Sequence, residues 1–103
     1  MKIALGSDHA GFYLKEFVKN YLEDNGHEVV DFGAENGTES VDYPDFARKV
    51  AQNVANGEFD RGVLMCGSGI GMSIAANRFD GVRATLCEDE ERTELARRHN
   101  NSN

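Results

Sequence analysis

The chain has 103 residues, one proline and 40% apolar residues, the composition of a single ordered domain near the lower size at which a chain can bury a core of its own. A formal charge of −7 leaves no basic stripe for a nucleic acid, although a small anionic ligand answers to a local field and not to the sum. No apolar stretch is long enough to span a bilayer, and the apolar run in "MKIALGSDHAGF" is too short for a signal peptide. Both cysteines are therefore expected as free thiols in a reducing cytoplasm.

In chain order, residues 2–7 read as a first strand that runs into "SDHAG". Residues 12–25 carry Leu14, Phe17, Val18, Tyr21 and Leu22 at helical spacing, the pattern of a buried face, and Gly26 is placed to stop that helix. Residues 27–33 form a second strand, followed by the turn-rich "AENGTES". Pro44 suits the first turn of a second helix capped by Asp42 or Tyr43. Its buried stripe is Phe46, Ala47, Val50, Ala51 and Val54, and Gly57 ends it. Residues 62–67, nearly continuous in apolar side chains, are expected as a third strand covered on both faces. A glycine loop opens a third helix reaching Asn77, residues 82–88 are expected as a fourth strand, and residues 89–98 as a fourth helix.

This alternation implies right-handed βαβ crossovers and an α/β, three-layer Rossmann-like fold: a parallel sheet of four strands with helices on both faces. Ligands in such folds bind outside the carboxyl ends of the strands. The loops gathered there are "SDHAG", "GAENGTESVDYP", "CGSGIG" and "CEDEE".

At that edge Cys66 immediately precedes Gly67, Gly69 and Gly71. Alternate glycines let successive N–H groups turn inward ahead of a helix, a nest that holds an anion and favours a thiolate. A tight turn with an incidental cysteine fits the same spacing. The pattern is one residue short of a dinucleotide fingerprint and follows the third strand instead of the first, which disfavours that reading even though Glu88 and Asp89 lie about 20 residues on. Asp8 and His9 pair a carboxylate with an imidazole, suited to proton transfer or phosphate binding, while Asp8 also suits a helix N-cap. His99, beside Arg97 and Arg98, is by itself explained as a cation at a helix end. The run Glu88, Asp89, Glu90, Glu91 reads as a solvated helix start, Cys87 as strand packing, and His27 as a residue without a role at the opposite edge. No spacing suggests a metal site.

Together, "GSDHAGFYLK", "DYPDFA", "CGSGIGMSIAANRFDGVRA" and "ARRHNN" are similar to RpiB-type ribose-5-phosphate isomerases, and related galactose- and allose-6-phosphate isomerases share much of the pattern. The resemblance covers essentially the whole chain. It implies an aldose–ketose isomerase that uses no metal or cofactor, acts on ribose 5-phosphate or, alternatively, a hexose 6-phosphate, and forms a homodimer or a dimer of dimers in the cytoplasm. By the resemblance, Cys66 is the base of a cis-enediolate mechanism. Gly67, Ser68, Gly69, Ile70 and Gly71 hold the enediolate oxygen, His99 opens the ring with Asp8 as partner, His9 approaches the phosphate, Tyr43 lines the sugar pocket, and Asn100 binds substrate across the dimer interface. Met72 stands where some members carry a glutamate base, which places the chain with the cysteine subgroup. Family members continue past "HNN" into a fifth strand and further helices, so residues 1–103 are expected to be one domain shortened at its end, with a non-catalytic phospho-ligand-binding fragment as the alternative.

Overall fold

The computed structural model describes all 103 residues. Strand β1 (Lys2–Ser7) leads into helix α1 (Phe12–Asp24), β2 (Glu28–Asp31), α2 (Tyr43–Ala55), β3 (Arg61–Met65), α3 (Ile70–Ala76) and α4 (Glu90–Asn100). The three strands form one parallel sheet in the order β2-β1-β3, with Ile3 opposite Val29 on one side and Arg61 on the other. No helix is long and apolar enough to cross a membrane.

The face under α2 is built from small residues. A side chain at Gly6 or Gly62 would meet Val50, 2.9 and 2.7 Å from the added carbon, so helix and sheet approach closely. Ala4, Val50, Val54 and Phe59 form the core there, with Val30, Phe32 and Leu64 packed against it. The expected α2 stripe is buried at Ala47, Val50, Ala51 and Val54. Asp42 is the N-cap with Pro44 in the first turn, as the sequence suggests.

Helix α1 departs from its sequence pattern. Its one buried residue is Lys15, whereas Leu14, Phe17 and Tyr21 are 56%, 69% and 59% exposed. The apolar stripe is thus turned outward and a lysine takes the inward position. Lys15 Nζ donates to Asp31 Oδ2 at 2.6 Å and to Glu16 Oε1 at 2.8 Å, and it lies 4.9 Å from the centre of the Phe12 ring. A buried ammonium is tolerated only when its charge is matched and its donors are used.

The expected fourth strand does not form: residues 82–88 are in no sheet, which leaves three strands. The Asn77 side chain takes both main-chain groups of Ala84, and Asn103 takes both of Arg83. Asn103 O also accepts the Gly62 N–H of β3. One residue therefore bridges β3 and this segment, holding them too far apart to pair with each other. An apolar slot of about 340 Å³ lies between them, lined by Leu64, Met65, Met72 and Leu86 among others. Strand β3 is consequently an edge, and Val63 and Leu64 are only half-buried instead of covered on both faces.

The charge pair sets a pH dependence. Burial raises the Asp31 carboxyl, but the hydrogen bonds from Lys15 and Gly33 outweigh it and hold the group below its ordinary 3.8. Burial lowers Lys15, and the hydrogen bonds to Asp31 and Glu16 outweigh that and hold it above 10.5. The stability from Asp31 is complete above its unfolded value and lost as pH falls through the depressed one. That from Lys15 is complete below its unfolded value and lost as pH rises through the raised one. Urea midpoints across pH should show a shallower acid limb for Asp31→Asn than for the parent. Lys15→Met, which leaves Asp31 partly buried without its main partner, should cost about 3 kcal/mol at neutral pH.

Candidate functional site

In the order β2-β1-β3, β1 connects outward to β2 and the next connection crosses back over β1 to β3, so the carboxyl ends of β1 and β3 lie side by side where a crevice forms. Asp8 and His9 follow β1, and Cys66 follows β3. The two ends are tied together: Asp8 N–H donates to Met65 O at 3.2 Å, and Gly11 sits so close that an added carbon would lie 2.6 Å from the Met65 carbonyl. On the other flank, Ser7 N–H donates to Gly33 O at 2.6 Å and Ala34 N–H to Ser7 O at 2.9 Å.

Asp8 is buried, and its Oδ1 accepts the Gly11 N–H at 3.0 Å, just before α1 begins. The N-cap of α1 is thus Gly11 and not Asp8, whose carboxylate holds the N–H of the capping residue. His9 is half-buried, and its Nδ1 lies 3.2 Å from the Val41 N–H. An N–H pointing at Nδ1 makes that nitrogen the acceptor, so the neutral ring carries its proton on Nε2.

The half-buried Cys66 accepts the Gly69 N–H on Sγ at 3.1 Å. Gly69 is in the left-handed region, φ 80°, and caps α3, the conformation that turns its N–H back toward the sulfur. Ser68 Oγ accepts the Ile70 N–H at 3.2 Å. The N–H groups of Gly67, Ser68 and Gly71 have no acceptor within the chain and remain for an anion. Tyr43, at the start of α2, lies over Gly71, where an added carbon would be 2.8 Å from its ring.

The structure therefore brings together Asp8, His9, Tyr43, Cys66 and residues 67–71. It does not add His99 and Asn100 to them. Both are on the exposed last turn of α4, a helix that buries only Ala96, packs against no other helix or strand, and makes no side-chain hydrogen bond from either residue to this cluster. Cys87, expected to pack in a strand, is exposed and lies 3.4 Å from Thr85 O. The acidic run opens α4 as expected: Asp89 caps it by accepting the Arg92 N–H at 2.7 Å, with Glu90 and Glu91 in the first turn. No three His, Cys, Asp or Glu side chains group so as to hold a metal ion. The Lys15–Asp31 pair and the Val41 N–H on His9 carried no sequence signal, since the apolar periodicity of α1 places Lys15 on its polar side.

The family model for ribose/galactose isomerases matches residues 3–103. The chain is 48% identical over 102 residues to ribose-5-phosphate isomerase B of Escherichia coli, covering 99% of this chain and 68% of that protein. It is 43% identical over 103 residues to a 4-deoxy-4-sulfo-D-erythrose isomerase from a Clostridium species, covering all of this chain and 65% of that protein. Among solved structures, a ribose 5-phosphate isomerase from Thermotoga maritima superposes with a TM-score of 0.96 at 58% identity, over 99% of this chain and 70% of that one. The chain thus spans about two thirds of the length of these relatives.

The glycine loop can be tested by position. Gly69→Ala forces a side chain into φ 80° with Leu86 2.6 Å away and should lower stability by about 1–3 kcal/mol. Gly67→Ala meets only the Ala10 methyl, at 3.7 Å, and should stay within about 0.5 kcal/mol of the parent. Denaturant melts of the two variants distinguish these outcomes.

Proposed function

The chain belongs to the ribose/galactose isomerase family and is a sugar-phosphate isomerase, and we propose that it interconverts ribose 5-phosphate and ribulose 5-phosphate with Cys66 as the base. The observation that carries this reading is the Gly69 N–H directed at Cys66 Sγ at 3.1 Å. That contact puts a main-chain donor on the sulfur at the strand end beside the one that carries Asp8 and His9.

In the open-chain aldose, the Cys66 thiolate takes the proton from C2. The electron pair left behind moves into the C1–C2 bond and the aldehyde oxygen takes up negative charge, giving a cis-enediolate. The unpaired N–H groups at Gly67, Ser68 and Gly71 lie ready for that oxygen, with the Ser68 hydroxyl beside them, and donors fixed before the reaction are the effective ones. The proton on the C2 hydroxyl then passes to the C1 oxygen, and the thiol returns a proton to C1 as the C1–C2 electron pair moves to it and C2 becomes the ketone. C2 is oxidised, C1 is reduced, and no external electron acceptor is required. Asp8 shares the proton transfer of ring opening. His9, with its proton on Nε2, donates to the anionic end of the substrate, and Tyr43 borders the sugar.

His99 and Asn100 enter through assembly. The chain is proposed to act as a homodimer in which the exposed end of α4 delivers these two side chains to the crevice of a second copy. This accounts for an eleven-residue helix that buries a single alanine. The Clostridium relative, whose name describes a sulfonated sugar as substrate, gives reason to assay other anionic sugars alongside ribose 5-phosphate, hexose 6-phosphates included.

The test is proton NMR of ribose 5-phosphate with the protein in deuterated water. Ketose carrying solvent deuterium at C1 is expected from the parent. Cys66→Ala should lower the exchange rate by roughly 10²–10⁴-fold with the fold intact. Undiminished exchange in that variant removes Cys66 as the base, and turnover confined to a hexose 6-phosphate reassigns the substrate.

A further inference from the structure

The Lys15–Asp31 pair needs a reason beyond stability, because a well-packed apolar pair of similar volume in its place is often as stable or more so. Lys15 is fully buried, and Asp31 is the residue that links it onward. One Asp31 oxygen takes the Lys15 ammonium at 2.6 Å, and the other accepts the Gly33 N–H at 2.8 Å. Lys19 lies 3.6 Å from the same carboxylate. Gly33 O and the Ala34 N–H then bracket Ser7, the residue before Asp8.

The loop that begins here runs from Phe32 to Asp42; packing holds its start, where Phe32 meets Phe59 and Ala34 is buried, and leaves residues 35–42 largely at the surface. A cleft of about 640 Å³, lined by Phe12, Glu16, Phe32, Glu35, Val41 and Phe46 among others, lies beneath it. Polar anchors hold it as well: Asp31 at Gly33, the Asn36 carbonyl accepting the N–H groups of Thr38 and Glu39, and the Val41 N–H on His9 Nδ1. The first anchor is tied to the core by Lys15, and the last one decides which His9 nitrogen carries the proton.

We infer that Lys15 is a positioning residue: through Asp31 it fixes the 32–42 loop, and through Val41 it keeps the His9 proton on Nε2, where an anionic substrate group needs a donor. This rests on the reading of His9 given above as the contact to the substrate's anionic end. An apolar residue at position 15 would fill the space but leave Asp31 free to release Gly33. His9 would then also populate the form protonated on Nδ1, whose Nε2 lone pair repels a phosphate oxygen.

The test uses the double variant Lys15→Met/Asp31→Asn, which leaves neither charge without its partner. Ring-nitrogen NMR shifts of His9, read at a pH where the ring is neutral, report the tautomer without any substrate. The parent should show Nε2–H alone, and the variant a mixture with Nδ1–H. KM for ribose 5-phosphate should rise roughly tenfold, the loss of one hydrogen bond to a charged group, with kcat changed less than about threefold because the proton-transfer groups are untouched. Unchanged His9 shifts and KM in a folded variant overturn the inference, as does a fall in kcat with the tautomer unmoved. If the double variant does not fold, Asp31→Ala, which removes the acceptor for Gly33 and leaves Lys15 its Glu16 partner, should move the tautomer the same way. An unshifted tautomer in that variant also overturns the inference. A parent without turnover on ribose 5-phosphate counts against the substrate reading, while the nitrogen shifts still decide the role of Lys15.

Discussion

The carboxyl end of β1 is hydrogen-bonded on both flanks, and the site depends on that. Ser7 exchanges two main-chain hydrogen bonds with Gly33 and Ala34, and Asp8 donates to Met65. These bonds carry the parallel ladder past the last paired strand residues and draw the loops after β1, β2 and β3 into one crevice. A parallel sheet with β1 at its centre places the strand ends side by side. The extra bonds set the depth at which Asp8, His9 and Cys66 stand relative to one another.

Two different forces complete the arrangement. On the α2 face, apolar contact dominates: glycines at positions 6 and 62 let Val50 and Val54 approach the sheet, and Tyr43 is carried to the glycine loop by the first turn of α2. On the α1 face, charge does the corresponding task, because the inward position is Lys15 and its partner Asp31 ends β2. The packed face gives rigidity to the floor of the crevice. The charged face fixes a loop that spans a cleft, and this loop reaches His9. Local electrostatics in the crevice come from N–H groups and not from net charge, so a chain of formal charge −7 can still present donors to an anionic sugar.

Much of this was legible in the sequence for physical reasons. Strands β1, β2 and β3 and helix α2 follow from uninterrupted local patterns, and Gly26, Gly57 and Pro44 punctuate them as chain stereochemistry requires. The placement of Cys66, Asp8 and His9 at one edge follows from the rule for strand ends. Residues 82–88 carry real apolar alternation but form no strand, because Asn103 lies between them and β3, and pairing is a tertiary property. Helix α1 was misread because periodicity ranks Leu14 and Phe17 above a lysine, whereas burial of Lys15 is decided by Asp31, sixteen residues away. His99 and Asn100 stand apart from the crevice of their own chain, since α4 packs against neither the sheet nor another helix.

The central claim is that an anionic sugar lies between Cys66 and His9. Cys87 is an internal comparison, because it is exposed while Cys66 is half-buried and holds the Gly69 N–H on its sulfur. The most direct measurement is therefore the alkylation rate of each cysteine by iodoacetamide, followed by mass spectrometry with and without saturating ribose 5-phosphate. The account predicts strong protection of Cys66, well beyond any change at Cys87. Equal rates at Cys66 with and without the sugar phosphate would contradict it.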